Sequence, residues 1–241
     1  MVNWRRWMVV VCALVLLPVF SPTQQIIQTN SDVLLTVDDP PLVALTFDDG
    51  PRNTTTGPLL DGLALREVPA TFFLVGERIP GNEDLISRMS SEGHQIGVHT
   101  FTHIMLRNIS KVEFDFQVGQ SRALLGDLLG AGDFWLRPPY GIMDETVPEW
   151  CGSPLILWSV DPEDWKYQDE GLVVSSVLNC VKDGDIILMH DIYQSSVDAA
   201  LQIVDRLLDE GYCFVTVEQL MEQRHISPEC GRIYRRIPPE I

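Results

Sequence analysis

The chain has 241 residues, 45% of them hydrophobic and 21% charged, proportions that suit a globular fold and exclude a disordered chain or a bundle of membrane spans. At 27.2 kDa it holds one large domain with a substantial core and leaves little room for a second. Lys and Arg number 17 against 34 Asp and Glu, and the resulting net charge of −17 repels phosphate backbones, so nucleic acid is disfavoured as a partner.

In chain order, Arg5 and Arg6 precede an uncharged apolar run from Met8 to Phe20. That is the shape of a secretory signal, and the run is shorter than the roughly 20 residues a membrane span needs. Val19 and Ser21 make a weak cleavage site ahead of Pro22, so residues 1–21 read as either a signal peptide or a retained signal anchor. A twin-arginine signal is the less favoured reading of Arg5 and Arg6. Either way the globular part is exported, secreted or held at the cell envelope, and membrane contact is expected only through such an anchor. Residues 22–38 read as a polar linker with a leading strand at 33–37. A monomer is expected.

From residue 39 onward, short apolar runs alternate with helical patterns. Strands are predicted at 42–47, 70–75, 95–99, 133–137, 155–160, 185–190 and 213–217. A helix is predicted over 111–129, with Ser110 and Glu113 spaced as a capping box and Gly130 as its stop. Another spans 196–210 and stops at Gly211, and Thr216 with Gln219 forms a further capping box. The runs at 155–160 and 186–189 are almost continuously apolar, as in parallel strands buried on both faces. About seven β–α units in one domain (residues 39–222) favour an irregular (β/α)7 barrel of TIM-barrel type over an open doubly wound sheet. Cys151, Cys180, Cys213 and Cys230 permit disulfides in an exported chain, with four free thiols as the alternative. Residues 223–241 form a tail that either packs on the domain or lies loose.

In such folds the chemistry sits past the C-terminal ends of the strands. Applied as a filter, that rule collects Asp48 and Asp49, then His99 and His103, Arg137 to Tyr140, Asp161 to Trp165, and His190. Three of the five His residues and the densest carboxylates fall at one end of the predicted barrel. His99 and His103, four residues apart, would share a face on a helical turn and could grip one ion. A carboxylate from Asp48 or Asp49 would complete a set of two His and one acid, the pattern of a catalytic metal with an open position. The other carboxylate is then free to take a proton from water. His190 is a candidate general acid, with Asp164 as the carboxylate that orients it and raises its pKa. Arg137 could pair with the base. Tyr140 and Trp165 offer flat faces to a sugar ring, although both could equally be core aromatics. Together these parts suit metal-assisted hydrolysis of an acyl bond.

Five segments carry a family resemblance: Thr46-Phe-Asp-Asp-Gly-Pro51, His99-Thr-Phe-Thr-His103, Arg137-Pro-Pro-Tyr140, Asp161-Pro-Glu-Asp-Trp165 and Ile186-Ile-Leu-Met-His190. In order and spacing they resemble the motifs of the polysaccharide deacetylases, carbohydrate esterase family 4 or the NodB-homology domain, over about residues 39–222. The resemblance implies removal of N-acetyl groups from N-acetylglucosamine polymers of peptidoglycan or chitin type. It implies Asp48 as base, Asp49, His99 and His103 as metal ligands, and His190 as acid. Asp164 would tune His190, Arg137 would tune Asp48, and the Tyr140 N–H would serve the oxyanion. Pro139, Tyr140 and Trp165 are the expected substrate contacts. Zinc is the implied ion, with Co2+, Mn2+ or Fe2+ accepted by relatives. An O-acetyl esterase of xylan type, or a carbohydrate-binding relative without catalysis, are the competing readings.

Overall fold

The computed structural model describes residues 39–239. The predicted signal segment and the strand at 33–37 lie outside the described residues. In chain order the elements are β1 (Leu42–Asp48), α1 (Thr56–Leu65), β2 (Thr71–Leu74), α2 (Glu83–Ser91), β3 (Gln95–Val98), α3 (Lys111–Phe114), α4 (Gln120–Leu129), α5 (Val147–Trp150), β4 (Leu155–Ile156), α6 (Asp164–Tyr167), α7 (Glu170–Leu178), β5 (Asp185–His190), α8 (Gln194–Asp209), β6 (Cys213–Phe214), α9 (Val217–Gln223) and β7 (Ile233–Tyr234). No helix among the described residues is long and apolar enough to cross a membrane.

All the strand pairs are parallel. The sheet runs β3–β2–β1–β5, and β6 takes the part of the β1 edge that β2 leaves free. Single bridges continue it: Val98 to Leu136, Leu136 to Leu155 in β4, and Val160 to Ile187 in β5. The path thus returns to its start as an irregular barrel, as expected for β–α units whose helices cover the outside.

Side-chain alternation sorts the core into two parts. On β1, Val43, Leu45 and Phe47 face outward and pack with Leu59, Leu60 and Leu63 of α1 and with Ile203, Val204 and Leu207 of α8. Leu42 and Ala44 face inward and meet Phe73, Trp135, Ile156 and Ile186. The same inward row continues to Thr46 and Asp48, both buried. Each fully buried aliphatic side chain contributes about 1.5–3 kcal/mol, so the apolar positions stabilise a fold that also encloses polar ones.

Four predicted elements differ in the structure, among them the strand at 213–217, which keeps only Cys213–Phe214 because Thr216 caps α9. The strand at 133–137 shrinks to the bridges at Leu136, because Pro138 and Pro139 cannot donate to a ladder. The strand at 155–160 keeps only Leu155–Ile156, and its partner is β7 in the tail. The helix at 111–129 is broken by a π-helical turn over Asp115–Gly119. Ser110 caps its start by accepting from the Glu113 N–H, but Glu113 turns its carboxylate to Gln117 instead of back to the cap. The capping box at Thr216 and Gln219 is complete.

The tail packs on the domain. Tyr234 and Ile237 are buried at the base of the barrel beside Val217, Leu220 and Met221 of α9. Gly184 allows this: its φ is +82°, and a Cβ there would lie 2.0 Å from the Ile237 carbonyl oxygen. Cys151, Cys180, Cys213 and Cys230 are all free thiols.

Candidate active site

Register brings the chemistry together. In the β1–β5 pair, Asp48 lies opposite His190, one strand spacing away on the inner face at the C-terminal end. The next residues of β1 and β3 carry Asp49 and His99 into the same mouth. A cavity of about 350 Å³ there is lined by Asp48, Asp49, His99, His103, Tyr140, Asp161, Trp165 and His190. Trp158, Leu188 and Tyr193 complete its wall. The sequence signal for these three was only that they lie in or beside apolar strand ends.

Asp49, His99 and His103 place one ligand atom each within 4.8 Å of one another. His99 donates from Nδ1 to the Arg137 carbonyl at 2.7 Å, which leaves its Nε2 as a bare lone pair. That Nε2 is 3.7 Å from Asp49 Oδ1, and His103 Nε2 is 3.1 Å from the same oxygen. Yet this buried Oδ1 completes no hydrogen bond. The two nitrogens and the oxygen converge on a common point rather than on each other, which is the donor set and geometry of a divalent cation site. Burial would raise the Asp49 carboxyl, but the imidazoles of His103, His99 and His190 outweigh it and hold it well below the usual carboxylate range.

The His pair reaches this point by a route different from the helical turn expected. Residues 99–103 form a loop, with Thr100 at φ +63° and His103 at φ +58°. Gln117, buried on the π-helical turn, fastens it: its side-chain oxygen accepts the N–H groups of Phe101 at 3.0 Å and Thr102 at 2.9 Å. The wider turn aims Gln117 at the loop, which the 111–129 helical pattern did not disclose. Asp49, Tyr140 and Glu163, at φ +74°, +62° and +52°, add further left-handed residues around the mouth. Each such residue costs about 1–3 kcal/mol, and they gather here because the surrounding packing holds them.

Arg137 is fully buried behind the cavity. It donates to Asp48 Oδ1 and Thr46 Oγ1 at 2.7 Å each, and to the carbonyls of Ile156 and Leu157 at 3.2 Å each. Its guanidinium lies 4.1 Å from the Phe73 ring centroid. Asp48 is thereby held by one oxygen and presents the other, Oδ2, 3.6 Å from His99 Nε2. Asp164 is also fully buried and grips His190 twice: Oδ1 accepts from Nδ1 at 2.8 Å and Oδ2 from the backbone N–H at 2.9 Å. Burial lowers the His190 pKa, but the hydrogen bond and charge of Asp164, with Asp48 and Asp49 nearby, push it up to about 9.

Tyr140 is 57% exposed and Trp165 48%, both with faces toward solvent at the cavity mouth. The Tyr140 ring stands edge-on to His103 at 4.8 Å, with its hydroxyl 3.2 Å from His103 Nδ1. Pro139 is buried and not among the residues that line the cavity, so its side chain is not brought to the mouth with the others. Asp161 lines the cavity and accepts the Glu163 N–H at 2.9 Å.

Asp191, the residue after His190, carries no signal of its own in the sequence. It is fully buried and accepts the Thr56 hydroxyl, which in turn accepts the Arg52 N–H at 2.8 Å. A Cβ on Gly50 would lie 2.2 Å from its carboxylate. The end of β5 is thus locked to the loop that carries Asp48 and Asp49. Burial pushes this carboxyl up to about 7.

Comparison with known proteins gives a consistent outcome. The family model described as polysaccharide deacetylase matches residues 35–151. The peptidoglycan-N-acetylglucosamine deacetylase PgdA of Listeria monocytogenes is 40% identical over 182 residues, covering 76% of this chain and 39% of its own length. The chain thus spans about two fifths of the length of the first curated relatives it matches. The structure of the peptidoglycan deacetylase PdaC from Bacillus subtilis superposes with a TM-score of 0.75 at 38% identity, covering 78% of this chain and 94% of that one. A family 4 acetyl xylan esterase from Clostridium thermocellum, solved with a cobalt ion, superposes with a TM-score of 0.78 at 31% identity, covering 82% and 99%.

Proposed function

The chain belongs to the polysaccharide deacetylase family, and from that premise we propose that it removes N-acetyl groups from an N-acetylglucosamine-containing polysaccharide of the cell wall. The observation that carries this reading is the pairing of Asp48 with His190 across one strand spacing, beside the convergent Asp49, His99 and His103.

Asp49, His99 and His103 would hold a divalent cation, zinc by preference for two imidazoles and one carboxylate with an open position. Such a cation supplies a Lewis acid for the acetyl carbonyl and a lowered pKa for water. Asp48, fixed through Oδ1 by Arg137, uses its other oxygen to take the proton of the attacking water. His190 has Nδ1 committed to Asp164, so the proton that it gives to the departing nitrogen comes from Nε2. The acetyl C–N bond breaks, and acetate and a free amine leave. The peptide N–H of Tyr140 would donate to the carbonyl oxygen as it gains charge. The exposed faces of Tyr140 and Trp165 stack against the sugar. The acidic chain then acts outside the cytoplasm, on the envelope.

Acetate release from peptidoglycan by the purified protein, with acetylated xylan assayed beside it, tests this reading. Release from xylan alone would replace it with O-acetyl ester hydrolysis at the same residues. Release unaffected by dialysis against chelator would remove the cation from the account.

A further inference from the structure

We propose that a second cleft beside the active-site cavity, lined by Arg52 and Arg78, binds a carboxylate carried by the glycan next to the sugar being deacetylated. The proposal rests on the deacetylase reading and narrows its substrate to an anionic glycan.

Among the described residues, two clefts run on from the catalytic cavity in series. One, of about 390 Å³, is lined by Arg52, Asn53, Arg78 and Asn82 among others. The second shares Arg52 with it and shares Tyr193 with the catalytic cavity, so the three are contiguous. Neither cleft has an Asp or Glu in its lining. In a chain with 34 acidic residues against 17 basic ones that is a local reversal of charge, and the catalytic cavity next door carries Asp48, Asp49 and Asp161.

Both guanidinium groups are fixed in place yet uncompensated. Arg52 donates from Nη1 to the Ile192 carbonyl at 2.7 Å, and Arg78 donates from Nη1 to the Asp49 carbonyl at 2.7 Å. Each spends one N–H on backbone and keeps the rest of its fork. Neither has a carboxylate partner among the described residues, whereas Arg66, Arg88, Arg224, Arg232 and Arg236 all do. A planar fork held at one corner is preorganised for a carboxylate, and the anion loses little by binding there. A second observation agrees. Thr55 is 5% exposed, its hydroxyl has no hydrogen-bond partner, and it lines the shared cleft. Asn82 Oδ1 is likewise buried without a donor, which suits a sugar hydroxyl beside the anion.

The carboxylate can come from two sources in a cell-wall strand. On a bare strand it is the lactyl ether acid of N-acetylmuramic acid. On a peptide-bearing strand that acid is consumed in an amide, and the anion lies on the peptide. A chitin-type oligomer carries neither.

The test compares oligomers of equal length with the metal-loaded protein. The arms are a peptide-free N-acetylglucosamine–N-acetylmuramic acid oligomer, the same oligomer with its carboxyl reduced to the alcohol, a peptide-bearing strand with free and with amidated peptide carboxyls, and a chitooligosaccharide. The expected result is a preference of about tenfold in kcat/KM for the acid form over its reduced or amidated form, carried mainly by KM, in one of the two source pairs. The preference falls as salt is raised. Arg52→Gln brings it toward unity, and Arg52→Glu reverses it. Arg52 is exposed, so both variants should fold. Equal kcat/KM within both source pairs, or a preference that Arg52→Glu leaves intact, would overturn the assignment. Calorimetric binding of the same pairs to the Asp48→Asn protein reads the ratio without turnover. If no glycan releases acetate, the deacetylase reading falls, and the binding ratio still decides the cleft.

Discussion

The two ends of the barrel are built from the same strands and do opposite things with them. At the base, Leu42, Ala44 and Ile186 point inward and meet Tyr234, Ile237 and the apolar face of α9. Two to four positions further along, the same inward rows become Thr46, Asp48 and His190, and Arg137 enters beside them. The base is a dry apolar plug closed by a tail. The mouth encloses a buried Arg–Asp pair, a buried Asp–His pair and several left-handed residues. Buried ion pairs contribute little net stability, and left-handed backbone costs some, so the mouth is the part that the rest of the fold must hold in place. Stability and chemistry are therefore separable along one inward-facing row within four residues.

That separation can be broken most directly at Asp48. Asp48→Asn keeps the volume and removes the base, and acetate release should fall by about 10²- to 10⁴-fold. It also leaves the buried Arg137 charge without its counter-ion, so a melting experiment should show a loss of about 3–5 kcal/mol. An Asn variant that keeps the parent rate would mean that the proton goes elsewhere.

The base of the barrel gives the converse. Ile237→Ala empties a buried site and should cost about 2–5 kcal/mol in denaturant unfolding. The rate per folded molecule should not change, because Ile237 does not line the cavity. A fall in kcat at full folding would show that the two ends are coupled. Gln117→Ala sits between these cases. It strips two loop N–H groups of their acceptor, which should loosen residues 99–103 and weaken cation affinity by about 10- to 100-fold in a competition titration with a chelating dye. Unchanged affinity would mean that the loop holds its shape without Gln117.

What was legible in the sequence follows the same division. β1 and β5 are long and almost continuously apolar, so their ends could be found, and with them Asp48, Asp49 and His190. Parallel register then did the rest, since strands that start together end together. The last strand was not legible. β7 is two residues in a tail rich in Arg and Pro, and its place is set by the edge of β4 and by Gly184, neither of which leaves a local pattern. The His99–His103 spacing was informative for a reason other than the one it suggested: a strained loop, not a helical face, brings the rings to 5.0 Å. Gln117 and Asp191 were invisible because they act through tertiary hydrogen bonds, and a buried Gln on a helix or an Asp after a His looks ordinary in one dimension. Pro139 shows the reverse, a motif residue whose side chain lies buried beside the mouth.

The smallest expected effect concerns the Asp164–His190 pair and is read against pH. His190 must carry its proton to serve as the acid, and its pKa is pushed up to about 9 with Asp164 as the main support. The protonated form therefore persists through neutral pH, and the rate should fall as pH rises through the His190 pKa. A cation facing the imidazole works against protonation, so in the loaded enzyme this basic limb should lie below that value. Asp164→Asn keeps an acceptor for Nδ1 but removes the charge, and the limb should move down toward the ordinary histidine pKa of about 6.5. The loss should thus be small near about pH 6 and reach roughly tenfold near about pH 8, where only the parent keeps its proton. A uniform loss at every pH would mean that Asp164 only positions the ring. A limb that stays where it was in the parent would remove His190 as the titrating acid.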